Sequence, residues 1–392
     1  MGPGLLFALG CLLAGCSNNG DPGSGRANGG SGNEAAGAGN MGDSSNSNSN
    51  SNGSCSEHPL FAAEPHGDSG DDLVRGIQVD EAGKTLLFSD LGQLFEVPLA
   101  GGKPSLLGER PNDDIAGDFW LAGDELLYPA GFATPVIEEQ QAVLFSTDRD
   151  GKNKKVAVGI PAPTSLEWQY EVADVQVVGD DVYWLARDKH TDRPADLLPP
   201  WDTTYAVRRT SWSAPSQPVE LYSTKSELKD LVVAGKLAFV AEKAANNQDS
   251  NEAVHRIIDV QTKAVLDQTS EEKFGGQVVA GDDTSLFVTK LQLEPPYEIG
   301  VFRVAPDGSG AAQLSENPFV TNFVRSGDAW LFTDSQALSD PTLVFSYRVG
   351  AVPRQIGCID SSATVHALAA SATKAYVGIF RDQTTTVLQF DR

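Results

Sequence analysis

A strand-turn-strand unit recurs seven times after residue 70, at a spacing of about 45 to 55 residues. In each copy, two short apolar runs flank a turn rich in Gly and Asp. Gly suits tight reversals because it adopts positive φ, and Asp suits them because its side chain bonds the nearby backbone. The turns lie near Gly83, Gly123, Gly179, Gly235, Gly281, Gly327 and Ala372. This repeat predicts an all-β fold, a seven-bladed β-propeller, with six or eight blades as alternatives.

The last copy predicts how the ring closes. Each unit has a third apolar run, and six units have a fourth, near residues 104–107, 155–160, 219–222, 264–267, 312–314 and 354–359. The seventh ends at Arg392 with three. Residues 58–63, which precede the first full unit, are therefore expected to supply its outer strand. Such a closure protects strand edges that would otherwise pair with another chain.

The second strands carry a family resemblance. Leu-Phe-Ser-Asp at 87–90, Leu-Phe-Thr-Asp at 331–334 and Tyr-Trp-Leu-Ala at 183–186 resemble the Tyr-Trp-Thr-Asp strand of extracellular YWTD propellers. The unit at 86–107 is similar to repeats of bacterial surface lipoproteins of the same broad type. The resemblance implies an extracellular propeller architecture and does not imply a particular function.

The N-terminus predicts export and lipid anchoring. Residues 5–15 are apolar but too few for the roughly twenty residues of a membrane-spanning helix. Leu-Ala-Gly-Cys at 13–16 resembles the lipobox of bacterial lipoproteins, which implies removal of residues 1–15 and lipidation of Cys16. Ser17, in place of the Asp that retains some lipoproteins at the inner membrane, favours the outer membrane by analogy. The anchored chain is expected in the bacterial cell envelope, on either the periplasmic or the surface face.

Composition separates a tether from a folded domain. Residues 16–54 consist mostly of Gly, Ser and Asn, so they bury too little apolar surface to order themselves. Residues 55–392 are expected to form one propeller domain, most simply a monomer. The formal charge of −24 argues against nucleic acid or an anionic membrane surface as partner. A protein, a glycan or a small molecule remains open.

Two of the four cysteines are left for the folded domain. Cys11 leaves with the signal peptide and Cys16 takes the lipid. An oxidising compartment then favours a Cys55–Cys358 disulfide beside the ring closure. Two unpaired thiols are the alternative.

A polar column crosses the first strands of the units. It is read five places before each turn Gly or its equivalent and contains Arg75, Asp118, Asp174, Asp230, Gly276, Asn322 and His366. Innermost strands line a propeller's central channel, so these residues are expected to ring one mouth. Asp118, Asp174 and Asp230 are the candidate ligands for a hard cation such as Ca²⁺ or for a cationic small molecule. A water-filled channel with polar walls is the alternative.

A second candidate site is the long insertion of the third unit, with His190, Asp192, Arg193, Trp201 and Asp202. Two function classes follow from these features. The first is a lipid-anchored binding or interaction module. The second is a propeller hydrolase, lactonase or lyase with a metal held by the column carboxylates and His366 at the channel mouth.

Overall fold

The computed structural model describes residues 55–62, 76–90, 93–109, 119–129, 141–160, 165, 167–193, 201–215, 217–243, 253–292, 298–318, 320–335, 340–382 and 384–392. These residues form seven antiparallel sheets, the blades of a β-propeller. The predicted fold class is confirmed. Cys16 and the rest of the predicted signal peptide and tether lie outside the described residues.

The strands follow the predicted units in chain order. The first is β1 (Pro59–Ala62), and blade 1 follows with β2 (Gly76–Asp80), β3 (Thr85–Asp90), β4 (Gln93–Pro98) and β5 (Ser105–Glu109). Blade 2 contains β6 (Trp120–Ala122), β7 (Glu125–Pro129), β8 (Gln141–Asp148) and β9 (Lys155–Ile160). Blade 3 contains β10 (Trp168–Val178), β11 (Asp181–His190), β12 (Asp202–Ser211) and β13 (Val219–Thr224). Blade 4 contains β14 (Leu228–Ala234), β15 (Leu237–Lys243) and β16 (Ala253–Asp259).

The remaining blades follow one short helix, α1 (Ser270–Phe274). Blade 5 contains β17 (Gln277–Gly281), β18 (Leu286–Gln292), β19 (Glu298–Val304) and β20 (Ala312–Ser315). Blade 6 contains β21 (Thr321–Ser326), β22 (Ala329–Asp334), β23 (Thr342–Arg348) and β24 (Arg354–Ile359). Blade 7 contains β25 (Thr364–Ala370), β26 (Lys374–Arg381) and β27 (Thr384–Asp391). The first strands of adjacent blades contact one another, as in the pairs β2 and β25, β10 and β14, and β14 and β17, which places them innermost.

The core lies between the blades rather than inside any one of them. The second strand of each blade is buried on both faces, which is why Leu86, Leu87 and Phe88 form a continuous apolar run instead of alternating with polar residues. Trp184 of blade 3 belongs to one apolar cluster with Leu127 of blade 2. Each blade therefore covers the apolar face of its neighbour.

Ring closure takes the predicted form. β1 pairs antiparallel with β27, so the sheet of blade 7 runs β1-β27-β26-β25. The Cα atoms of Cys55 and Cys358 are 5.3 Å apart and their sulfur atoms lie at bonding distance, as the predicted disulfide requires. Between them, the Glu57 carboxylate accepts a hydrogen bond from Asp360 N at 2.9 Å and contacts Arg381. The N-terminal segment is thus attached to both blade 6 and blade 7.

Blade 4 departs from the predicted pattern. The fourth strand expected near 264–267 is reduced to a single bridge between Ile258 and Val265. The chain turns into α1 here, where Thr269 and Glu272 form a reciprocal capping box. Phe274 at the end of α1 is buried against Phe239. Helix packing takes the place of an outer strand at this edge.

The five-residue α1 spans only about 7.5 Å. Within the described ranges, no helix has the length and apolar character needed to cross a bilayer.

The closure predicts how stability depends on the disulfide. Replacing Cys55 and Cys358 by Ser in the full chain is expected to lower the free energy of unfolding by about 2 to 5 kcal/mol, because the disulfide encloses a loop of some 300 residues in the unfolded chain. Denaturant titration of the two proteins measures the difference. Reductant should lower the unfolding midpoint of the native protein toward that of the variant, and it should leave the midpoint of the variant unchanged. Identical midpoints for the two proteins without reductant would contradict the prediction.

Candidate functional site

The polar column coincides with irregularities in the innermost strands. Register shifts occur in β10 between Ala173 and Gln176, in β14 between Lys229 and Val232, and in β21 between Thr321 and Val324. The column residues inside them, Asp174, Asp230 and Asn322, have φ of 45°, 54° and 57°. Asp and Asn tolerate this left-handed conformation better than other residues with a Cβ atom. Backbone geometry therefore accounts for much of the Asp and Asn content of the column.

The other column positions are more varied. His366 lies at the register shift of β25, between Val365 and Ala367. Gly276 precedes β17, and a Cβ atom on it would lie 2.1 Å from the carbonyl oxygen of Thr289, so no larger residue fits there. Arg75 and Asp118 lie outside the described residues.

Asp174 and Asp230 come together across the junction of blades 3 and 4. The Asp174 carboxylate accepts a hydrogen bond from Asp230 N at 3.0 Å. Burial by the surrounding channel wall raises the pKa of the Asp174 carboxyl, and the nearby negative charge of Asp230 raises it further. Both residues nevertheless remain partly exposed to solvent. The third proposed ligand, Asp118, cannot be placed beside them.

Asn322 is oriented differently, because its Nδ2 donates to Thr333 Oγ1 in its own blade at 3.2 Å. Among the described residues, no group of three His, Cys, Asp or Glu side chains is close enough to hold a metal ion. The Ca²⁺ site at Asp118, Asp174 and Asp230 stays a prediction. Asp174 and Asp230, the two predicted ligands that the structure describes, form a contact between blades 3 and 4 in which the Asp174 carboxyl has a raised pKa.

Gln176, two residues after Asp174, joins the same two blades. Its side-chain oxygen accepts from Val233 N at 3.0 Å, and its side-chain nitrogen donates to the carbonyl oxygen of Leu231. β14 is the first strand of its sheet, so it has a partner strand, β15, on one side only. The Gln176 amide bonds backbone groups of β14 on the other side. Gln176 was not among the predicted site residues, although a polar amide in an otherwise apolar inner strand was a visible signal.

The second candidate site lies on the longest strands of the molecule. β10, β11 and β12 contain 11, 10 and 10 residues, compared with three to eight in the other described strands. Their paired ends, Trp168, His190 and Asp202, form the end of this sheet at which β10 begins. Of the predicted insertion, Asp192, Arg193 and Trp201 are described, whereas residues 194–200 lie outside the described ranges.

The two faces of this extended sheet differ in chemistry. On the face toward blade 2, Trp168 lies 4.6 Å from His190 and 6.3 Å from Tyr170, measured between ring centroids. Trp168 is 38% exposed. Burial, followed by the negative charge of Asp188, raises the pKa of the Tyr170 hydroxyl. We call Trp168, Tyr170 and His190 the aromatic cluster.

The face toward blade 4 is charged. Glu171 contacts Lys189 and lies 3.7 Å from Arg187, which in turn lies 3.8 Å from Glu227 of the segment before β14. Lys229 also reaches Glu227, at 3.5 Å. These partly exposed pairs orient the extension relative to blade 4, and each contributes little stability by itself.

Comparison with known proteins supports the fold alone. No protein-family model matches the chain, and no curated protein matches it. Among solved structures, a puromycin-hydrolysing peptidase of Mycobacterium tuberculosis is 11% identical with a TM-score of 0.53; the match covers 82% of this chain and 52% of the peptidase. This chain thus spans about half of that protein. The β-propeller domain of the trilobed protease of Pyrococcus furiosus is 8% identical, with a TM-score of 0.36 over 81% of this chain and 93% of that domain.

The Asp174 environment predicts a pH effect on stability. A raised native pKa means that the native state holds its proton more tightly than the unfolded state, so stability falls as pH rises from the ordinary Asp pKa of 3.8 through the native value. Asn carries no such charge and suits positive φ. Asp174→Asn is therefore expected to raise the thermal midpoint over that of the native protein more at pH 7 than at pH 3.5.

A matched control comes from an exposed turn. Hydrogen bonds from the Ser309 side chain and backbone lower the pKa of Asp307, so Asp307→Asn should give no gain at pH 7. Thermal scans of the three proteins at both pH values measure the effect. An equal gain from Asp174→Asn at both pH values would show that the electrostatic account is wrong.

Proposed function

We propose that this protein is a lipid-anchored binding module of the bacterial cell envelope. The lipobox-like sequence at 13–16 supports attachment through Cys16, and the Gly-, Ser- and Asn-rich segment after it would act as the tether. The propeller is then the part that meets a ligand. The observation that carries the proposal is the aromatic cluster on the projecting sheet of blade 3.

The aromatic cluster has the chemistry of a glycan platform. A sugar ring has an apolar face of C–H groups and a rim of hydroxyls, which match an exposed indole face bordered by polar atoms. Trp168 provides the indole, and His190 with the Tyr170 hydroxyl provides hydrogen-bonding groups at its edge. Extended strands hold all three, so little conformational entropy is lost when a ligand binds.

The net negative charge of the protein limits which class of glycan it can bind. A protein with a formal charge of −24 repels acidic polysaccharides at low and moderate ionic strength. Asp188, which lies between the cluster and the core of blade 3, is already paired with Arg208. The proposal is therefore an uncharged oligosaccharide, for which chitotetraose serves as the probe.

The paired carboxylates favour one alternative function. Asp174, with its raised pKa, beside Asp230 has the character of a general acid at the channel mouth. A hydrolase, lactonase or lyase would use such a group together with the predicted metal. Elemental analysis of protein purified without chelators, beside the Asp118→Asn, Asp174→Asn, Asp230→Asn triple variant, tests this alternative.

The binding proposal predicts the effect of removing one ring. Trp168→Ala is expected to weaken binding of chitotetraose by roughly ten-fold, about 1.4 kcal/mol, because the stacking face is lost. Isothermal titration calorimetry on the full chain measures the change. Trp212→Ala, at the opposite end of the blade 3 sheet from Trp168, is the matched control and should bind as the native protein does. Absence of binding by the native protein, or equal loss in both variants, would contradict the proposal.

The anchor is tested separately from binding. Expression of the native chain and of Cys16→Ser in a bacterium with labelled palmitate should give label only in the native protein. The variant should also leave the membrane fraction, because a single apolar run of this length is too short to span the bilayer. Label in both proteins would exclude Cys16 as the lipidated residue.

A further inference from the structure

A groove of about 510 Å³ opens between blades 2 and 3, at the end of the blade 3 sheet opposite the aromatic cluster. Trp120, Ala122, Val177, Gly179, Asp180 and Trp212 line it. Gly179 and Asp180 form the turn that ends β10, whereas Trp168 begins that strand. Eleven residues of extended chain separate the two ends by on the order of 30 Å. The groove is therefore distinct from both the aromatic cluster and the polar column.

The walls of the groove are two fixed indoles. Trp120 and Trp212 are each half-buried and pack against the apolar cluster between blades 2 and 3. Trp212 Nε1 donates to the carbonyl oxygen of Gly179 at 3.3 Å, and Trp212 N donates to that of Asp180 at 3.0 Å. Neither indole carries a Lys or Arg above its ring among the described side chains. The exposed part of each indole that lines the groove is therefore available to a ligand.

The rim of the groove carries one ionised carboxylate. Ser211 Oγ and Ser213 Oγ each donate to Asp180 Oδ2 at 2.7 Å. These hydrogen bonds, that of Ser213 first, lower the pKa of Asp180. No described residue forms an ion pair with Asp180 or bonds its Oδ1. A negative charge with a free oxygen therefore stands beside two indoles.

A groove at the equivalent position between blades 4 and 5 differs in its lining residues from the groove between blades 2 and 3. It measures about 400 Å³ and is formed by the matching turns, with Lys236, Asp282, Asp283 and Pro306 in its lining. There the chain supplies its own cations, because Lys236 lines the groove and Arg325 bonds Asp282 at 2.5 Å. Pro306 stands where the groove of blades 2 and 3 has Trp212. Of these two described grooves, the one between blades 4 and 5 has internal cations and no indole, and the one between blades 2 and 3 has two indoles and no described cation.

We infer that the groove between blades 2 and 3 binds a small organic cation, an alkylammonium group held between Trp120 and Trp212 and paired with Asp180. Its volume lies within the range of about 300 to 1,000 Å³ typical of small-molecule sites. Aromatic walls with one carboxylate are the usual means of recognising an ammonium group. This site does not depend on the proposed glycan function.

Choline and its uncharged isostere 3,3-dimethyl-1-butanol test the inference on the full chain without any variant. Saturable binding of choline with one equivalent per chain, at least ten-fold tighter than the isostere, is expected in isothermal titration calorimetry. Equal affinity for the two compounds, or no saturable binding of choline, would overturn the assignment.

Two variants then locate the site. Asp180→Asn keeps a side-chain oxygen for the Ser hydroxyls and removes the charge, and it should weaken choline binding about ten-fold without changing binding of the isostere. Asp283→Asn, which removes a carboxylate from the lining of the groove between blades 4 and 5, is the control and should leave choline affinity unchanged. Native-like near-ultraviolet circular dichroism in both variants excludes misfolding as the cause. Choline binding unaffected by Asp180→Asn would overturn the site. Chitotetraose binding, measured on the same proteins, reports the glycan proposal independently.

Discussion

The pairing of β1 with β27 is the interaction on which the rest of the fold depends. A propeller buries its core between blades, so every blade needs a neighbour on each side, and a ring that failed to close would expose the apolar faces of blades 1 and 7 together. Phe61 of β1 stacks on Phe88 of blade 1, so the closing strand also fills the apolar cluster at that junction. Closure and core formation are therefore the same event.

Polar side chains join neighbouring blades where the apolar clusters end. Arg149 of blade 2 pairs with Asp80 and donates to Thr85 Oγ1 of blade 1. Arg392, the last residue, donates to Ser326 Oγ of blade 6 at 2.7 Å. Each bond is modest alone, but all act between elements that the clusters already hold in register. The contacts of Asp174 and Gln176 belong to this set, which is why the column at the channel mouth serves structure before it serves any ligand.

Much of the architecture was predictable because it depends on short-range signals. Gly-rich turns at a constant spacing gave the number of blades, the three-strand remainder at Arg392 gave the closure, and the two cysteines left in the domain gave the disulfide. The outer strand of blade 4 was not predictable in the same way, since the capping box of Thr269 and Glu272 competes with a run that looks like a weak strand. At this edge of blade 4 the helix α1 formed, and strand pairing was reduced to the single bridge between Ile258 and Val265.

The candidate sites were less predictable than the fold. Asp174, Asp230, Asn322 and His366 of the column lie on inner strands. The column's composition was interpreted as ligand chemistry, whereas positive φ accounts for Asp or Asn at three of these four positions. The groove of Trp120, Asp180 and Trp212 combines residues of two blades that are up to 92 positions apart. No window of sequence contains that set, and only the contact between blades 2 and 3 reveals it.

The disulfide also determines the effect of cleaving one peptide bond in the chain. Cys55 and Cys358 enclose 303 positions of the chain, which include nearly every connection between described strands. A protease that cuts one of those connections leaves two pieces that remain one covalent molecule. They also stay paired through the sheets on both sides of the cut. A nicked ring of this kind is therefore held in shape by the disulfide and by the sheets together, and a reductant alone would not release a piece.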